Sequence, residues 1–254
     1  MKKNFFFANI LSFFLVLLLI PHSFALAASE PQAAGPSQAA LQLLNTARSN
    51  AEEARKRAID FECPEYFPGD WYAIEAQFAA AGSLPITTDA EVQYAAAAFN
   101  AAANRYNALF RRTIPLYAQA WEDKIIFARD EFLAGGLRNL FPGYLRRTDE
   151  MAVFALSLFT SGIYHGARDT AAKALQRYNV LTLASGVYLT RERIIAGGFA
   201  VYDHENFAKA ENAVLAALDE MGVQNYETAI TYGEAALFHY NLVYQAAMKN
   251  IKGS

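Results

Sequence analysis

One block of sequence returns, and it constrains the fold more than any other feature. Ala54-Arg55 is followed by Phe67-Pro68-Gly69, and Ala128-Arg129 is followed at the same separation by Phe141-Pro142-Gly143. Each block has the form of a helix end, a proline-bracketed turn and a new helix start. A third and looser copy follows. Ala196-Gly197-Gly198 echoes Ala134-Gly135-Gly136, and Asn206-Phe207 with Glu211 echoes Asp70-Trp71 with Glu75. Tyr106-Asn107 and Tyr178-Asn179 fall near the same point of the first two copies.

Between the turns the apolar residues step by three and four. Leu44, Ala47, Ala51, Ala54, Ala58 and Phe61 form one stripe, and Trp71, Ile74, Phe78 and Ala81 form the next. That spacing places each set on one face of a helix. Nowhere from residue 38 onward do β-branched residues alternate with polar ones between turn signals, so no strand is expected. The fold class is all-α: about eight helices in three unequal units, near 38–113, 114–186 and 187–254, with Pro115 breaking the chain at the first border. Asp70 and Asn206 are read as helix caps, Thr88 or Asp89 as another, and Asp149 as opening the helix that carries Met151 and Phe154. A unit of this size cannot bury its own apolar face, so neighbours must stack into an array.

Asn225-Tyr226-Glu227-Thr228-Ala229-Ile230-Thr231-Tyr232-Gly233-Glu234-Ala235-Ala236 resembles the opening helix of a tetratricopeptide repeat, and Phe207-Ala208-Lys209-Ala210-Glu211 is similar. The alanine-rich unit as a whole also resembles helical repeats of the bacterial cell envelope. The resemblance implies a tetratricopeptide-like α-solenoid acting as a scaffold or ligand binder.

The N-terminus reads as a secretory signal. Met1-Lys2-Lys3 precedes an apolar run from Phe5 to Ile20, and Ala25-Leu26-Ala27 suits a signal peptidase. Cleavage near Ala27 would leave a flexible leader, residues 28–37, and one helical domain, residues 38–254, in the periplasm or outside the cell, with no stable membrane insertion. Losing Lys2 and Lys3 takes the formal charge from −3 to about −5. A mildly acidic chain with dispersed Arg and Lys lacks the basic footprint of a nucleic-acid binder. Cys63 is the single cysteine, which rules out an internal disulfide; it is expected to be buried.

Catalytic patterns are sparse. With His22 in the signal, His165, His204 and His239 remain, and His204-Glu205 lacks the second histidine of a helical zinc-protease motif. No metal site, cofactor or catalytic residue is expected. Glu75, Asp149 and Glu211 are read as exposed first-turn acids complementing helix N-termini, and the doublets Arg111-Arg112 and Arg146-Arg147 as helix-end cations. Aromatic side chains are the richer resource. Trp71, Tyr178, Tyr232, Tyr240 and Tyr244, with His239, are the candidate binding residues, because tyrosine suits a surface that is dry at one end and wet at the other. The expected function is non-catalytic binding of a partner protein or peptide in the envelope. A small-molecule carrier serving a transporter is the alternative, and a hydrolase using His204 or His239 the remote one.

Overall fold

The computed structural model describes residues 35–136 and 138–253. The expected signal peptide and most of the leader lie outside the described residues. Within them the chain is helical and contains no strand. In order come α1 (Gln38–Asp60), the single-turn α2 (Cys63–Tyr66), α3 (Pro68–Gly82), α4 (Asp89–Ala134), α5 (Pro142–Thr160), α6 (Tyr164–Ala196), α7 (His204–Gly222) and α8 (Tyr226–Gly253). A 3-10 turn, Phe199–Tyr202, precedes α7.

Helix starts follow from local chemistry. Ser37 caps α1 by accepting from the Ala40 amide, and Thr88 caps α4 in a reciprocal box with Glu91. Proline stands at the first position of α3 and α5, where its missing N–H costs nothing. The residues before those prolines share a backbone conformation: Phe67 lies at φ −139°, ψ 63° and Phe141 at φ −131°, ψ 55°. Asp203, which precedes α7, is similar at φ −157°, ψ 77°.

Several sequence expectations need correction. Asp70 lies within the first turn of α3, and the cap is Phe67; Asp203, not Asn206, caps α7. Asp149 lies inside α5 and does not open it. Pro115 does not interrupt the chain, because α4 runs through it. The reason is its orientation. Pro115 and Arg111 are exposed, so the carbonyl that loses its helical donor can meet water. On the opposite face Thr113, Ile114 and Tyr117 are buried and hold the helix in place. Both expected unit borders, 113/114 and 186/187, therefore fall within long helices, α4 and α6.

The buried side chains form three clusters. The first joins α1, α3 and the N-terminal half of α4 around Phe61, Trp71, Phe99 and Tyr106. The second joins the C-terminal half of α4, α5 and the first half of α6 around Phe132 and Tyr178. The third joins the end of α6 to α7 and α8 around Ile194 and Tyr240. Each long helix thus serves two cores in turn, and Trp121 packs against both the first and the second. Alanine lines the seams, with Ala51, Ala54, Ala58 and Ala102 all nearly solvent-free, so helix axes approach closely. Gly233 extends this: a Cβ there would stand 2.7 Å from a Leu183 methyl.

Candidate functional site

Each core is tied by the same trio of side chains. Arg55 of α1 donates through Nε and Nη2 to the two carboxylate oxygens of Glu75 on α3, at 2.7 and 2.9 Å. Tyr106 of α4, fully buried, donates its hydroxyl to Glu75 Oε1 at 2.5 Å. In the second core Arg129 Nε donates to Asp149 Oδ1 at 2.9 Å, and Tyr178 donates to the same oxygen at 2.5 Å. In the third, Arg191 grips Glu211 through two nitrogens, at 2.7 and 3.1 Å, and Tyr240 donates to Glu211. Arginine and acid are 20 residues apart in all three, and acid and tyrosine 31, 29 and 29.

This arrangement fixes protonation. The Arg55 hydrogen bond holds the Glu75 carboxyl below the usual range, with burial opposing, and Arg191 does the same for Glu211. Burial first, and then the neighbouring carboxylate, pushes the Tyr106, Tyr178 and Tyr240 phenols upward. Glu75 and Glu211, each held ionised and accepting three hydrogen bonds, are poor bases, and a phenol held neutral is a poor nucleophile. The trios are cross-links between helices. They also overturn the reading of Glu75, Asp149 and Glu211 as exposed first-turn acids: all three sit deeper in their helices and are partly buried.

The candidate aromatic residues separate accordingly. Tyr178 and Tyr240 are buried in trios, and Trp71 is buried beside Tyr106 with Arg55 5.8 Å from its ring centre. Tyr244 packs on Phe199 with ring centres 5.8 Å apart, and His239 Nδ1 shares a 2.8 Å hydrogen bond with Asn206 Oδ1. Tyr232 is the one of the six that counts among the large exposed side chains. Cys63 is buried, and burial pushes its thiol upward, as an inert structural cysteine requires. Among the described residues no three of His, Cys, Asp and Glu gather as a metal site would.

A groove missed by sequence reasoning lies elsewhere. The start of α5, one face of α6, the end of α7 and the start of α8 enclose about 240 Å³ of almost wholly apolar space. Val180, Leu181 and Val187 form buried parts of its wall, and Tyr144, Tyr188 and Leu218 stand exposed at its rim. Arg191 reaches the lining, but its charge is neutralised by Glu211. Such a space suits an apolar anchor and offers little to a charged one. Its lining comes from four helices, so no contiguous stretch of sequence marks it.

Comparison of the chain with protein-family models, with curated proteins and with solved structures finds no match. The functional reading therefore stands on geometry. Among the described residues no helix is long and apolar enough to cross a membrane.

Proposed function

We propose that this is an exported, periplasmic or secreted, non-catalytic binding protein. Its three trio-locked cores form a tetratricopeptide-like helical array that holds a partner protein or peptide in the cell envelope. The observation that carries the reading is the groove among α5, α6, α7 and α8, apolar within and rimmed by exposed Tyr144, Tyr188 and Leu218. Tyrosine at the edge of a dry recess is a common way to seat one large apolar side chain of a partner. The exposed Tyr144, Tyr188 and Leu218 at its edge are what support a partner over a small-molecule carrier.

The test is a photo-crosslinking residue placed at Leu218 in the full chain, expressed in its own cells, with a second placed at the distant, exposed Glu52. A discrete protein adduct at 218, absent at 52 and abolished by Ala184→Arg in the groove wall, is the expected result. An adduct with a small molecule would favour the carrier. Identical labelling at both positions would remove the groove from the function.

A further inference from the structure

The trios set a register for the whole chain. From the first core to the second, equivalent residues lie 74 apart on the first two helical segments (55 to 129, 75 to 149) and 72 apart on the third (106 to 178). From the second to the third they lie 62 apart throughout (129 to 191, 149 to 211, 178 to 240). Each side chain at one junction can therefore be compared with its counterpart at the other. One polar group beside the apolar groove belongs to no trio. Arg177 of α6 donates through Nε to Thr148 Oγ1 of α5, at 3.2 Å, and through Nη1 to the Tyr226 hydroxyl oxygen of α8, at 3.3 Å. Arg177 stands three and four residues before Val180 and Leu181, Tyr226 three before Ala229, and Thr148 four after Tyr144, all of the groove lining. Residues so spaced are surface neighbours on a helix, so three helices bring this group to one end of the recess.

The group has donors to spare and no charge to match them. Thr148 is fully buried and spends its proton on the Tyr144 carbonyl oxygen. Tyr226 is only 7% exposed, yet its hydroxyl proton meets no acceptor among the described residues. Nη2 of the half-buried Arg177 meets none either, and no carboxylate pairs with Arg177. Asp149, next to Thr148, is held by Arg129 and Tyr178. A guanidinium drawn out of water and answered only by neutral hydroxyls lacks the anion that such a setting favours. The first junction has no such group. Its counterparts are Ile74, which carries no hydroxyl, Arg105, which donates to Gln77 Oε1 at 2.8 Å, and Tyr164, whose ring packs edge-on to Phe110. The spare donors thus accompany the junction that holds the apolar groove.

We infer that Arg177 and Tyr226 form an anion subsite at the end of the groove, and that groove and subsite together take a single-chain anionic amphiphile. The head accepts from Arg177 Nη2 and from the Tyr226 hydroxyl, and the chain lies along Leu181, Ala184 and Val187. An apolar recess with a few polar groups at one end fixes both the place and the direction of such a ligand. Within the recess Arg191 is already neutralised by Glu211, so a charged head belongs at the Arg177 end and not among the lining. The inference goes beyond partner binding and does not depend on it, because a partner anchored by an apolar side chain has no use for Arg177.

The probes are laurate, dodecyl phosphate, dodecanol and dodecyltrimethylammonium, which share one alkyl chain and differ in the head. Each is measured by equilibrium dialysis, below its micellar concentration, against the protein isolated from its own cells. Laurate or dodecyl phosphate should bind at least about 10-fold more tightly than dodecanol, the scale of one charge-assisted hydrogen bond. Whichever of the two binds better assigns the head as carboxylate or phosphate. Arg177→Met should bring the anion down to the level of dodecanol and leave dodecanol itself unchanged, and Tyr226→Phe should weaken the anion about 3-fold. Ala184→Phe, which fills the groove wall, should weaken anion and alcohol alike, and Arg105→Met at the first junction should alter neither. Dodecanol or dodecyltrimethylammonium binding as tightly as the anions would overturn the inference without any variant. So would wild-type affinity in Arg177→Met, or no measurable binding of either anion. A protein adduct at Leu218 without anion binding would keep the partner and remove the subsite; anion binding without that adduct would do the reverse.

Discussion

The two places where neighbouring cores meet are built from equivalent positions and end up different. At the first, the Arg112 guanidinium stacks 4.3 Å over the Phe67 ring and pairs with Asp70 at 2.7 Å. Beside it the end of α5 is sealed, with Ala155 and Phe159 buried and Phe159 packed edge-on to Tyr117 at 6.1 Å. At the second, the same offsets put Ala184, Phe141 and Tyr144 in those positions, and Ala217, Met221 and Leu189 in place of Ala155, Phe159 and Tyr117. Leu189 is 46% exposed, and the apolar groove opens between Tyr144 and Leu218. One scaffold therefore yields a plugged junction or an open one according to a few side chains. The groove is a local substitution pattern on a common frame.

The comparison breaks first if the frame is not common. Tyr106 and Tyr240 are both fully buried and both donate to a paired carboxylate. Tyr106→Ala and Tyr240→Ala should each cost about 3–5 kcal/mol in chemical denaturation, the usual loss for a large buried ring. A far smaller cost at Tyr240 would mean that the groove comes from a loose third core.

Acid should test the same frame. The Glu75 and Glu211 carboxyls are held below their ordinary value by Arg55 and Arg191. A depressed folded-state pKa contributes stability that is present above the ordinary carboxylate range and lost as pH falls through the lower folded value. The melting temperature should hold from neutrality to about pH 5 and then fall. Glu75→Gln and Glu211→Gln should lower it at neutral pH and flatten the acid limb by similar amounts. A limb unchanged by either would show that these pairs contribute nothing beyond geometry.

Local chemistry was readable in the sequence, and distant pairing was not. The stripes through Ala51, Ala54 and Ala58 announce helices, and the Phe-Pro-Gly motifs announce a chain reversal before α3 and α5, although the helices begin at Pro68 and Pro142 and not at Asp70 and Asp149 as the capping signals suggest. The trios span 20 and about 30 residues across three helices, so nothing local joins Arg55 to Tyr106. The equivalence of Glu75, Asp149 and Glu211 was visible and its meaning was not, since an acid near a helix start has the same local signature whether or not a guanidinium awaits it. Pro115 misled for a related reason: a proline breaks a helix only when the rest of the helix has no partner to hold it.

Closing the open junction is a sharper test than unfolding it. Ala184→Arg with Tyr144→Asp rebuilds at the second junction the trio of Phe67, Asp70 and Arg112. Binding of an apolar fluorescent dye should fall at least about tenfold, because the new guanidinium would occupy the space above Phe141. Unchanged dye binding would place the apolar site elsewhere.

The smallest effect comes from opening the closed junction. Arg112 is more than half exposed, so its ion pair with Asp70 is worth little, and its stacking on Phe67 adds a modest cation–π term. Arg112→Ala should therefore cost only about 1 kcal/mol in denaturant unfolding. It should also uncover Phe67 and raise dye binding at the first junction weakly, with Asp70→Ala adding little further. A larger cost without new dye binding would mean that the seal is made by α5, through Ala155 and Phe159, and not by the arginine. Measured beside Ala184→Arg, this variant decides whether one side chain or the seating of a whole helix sets which junction stays open.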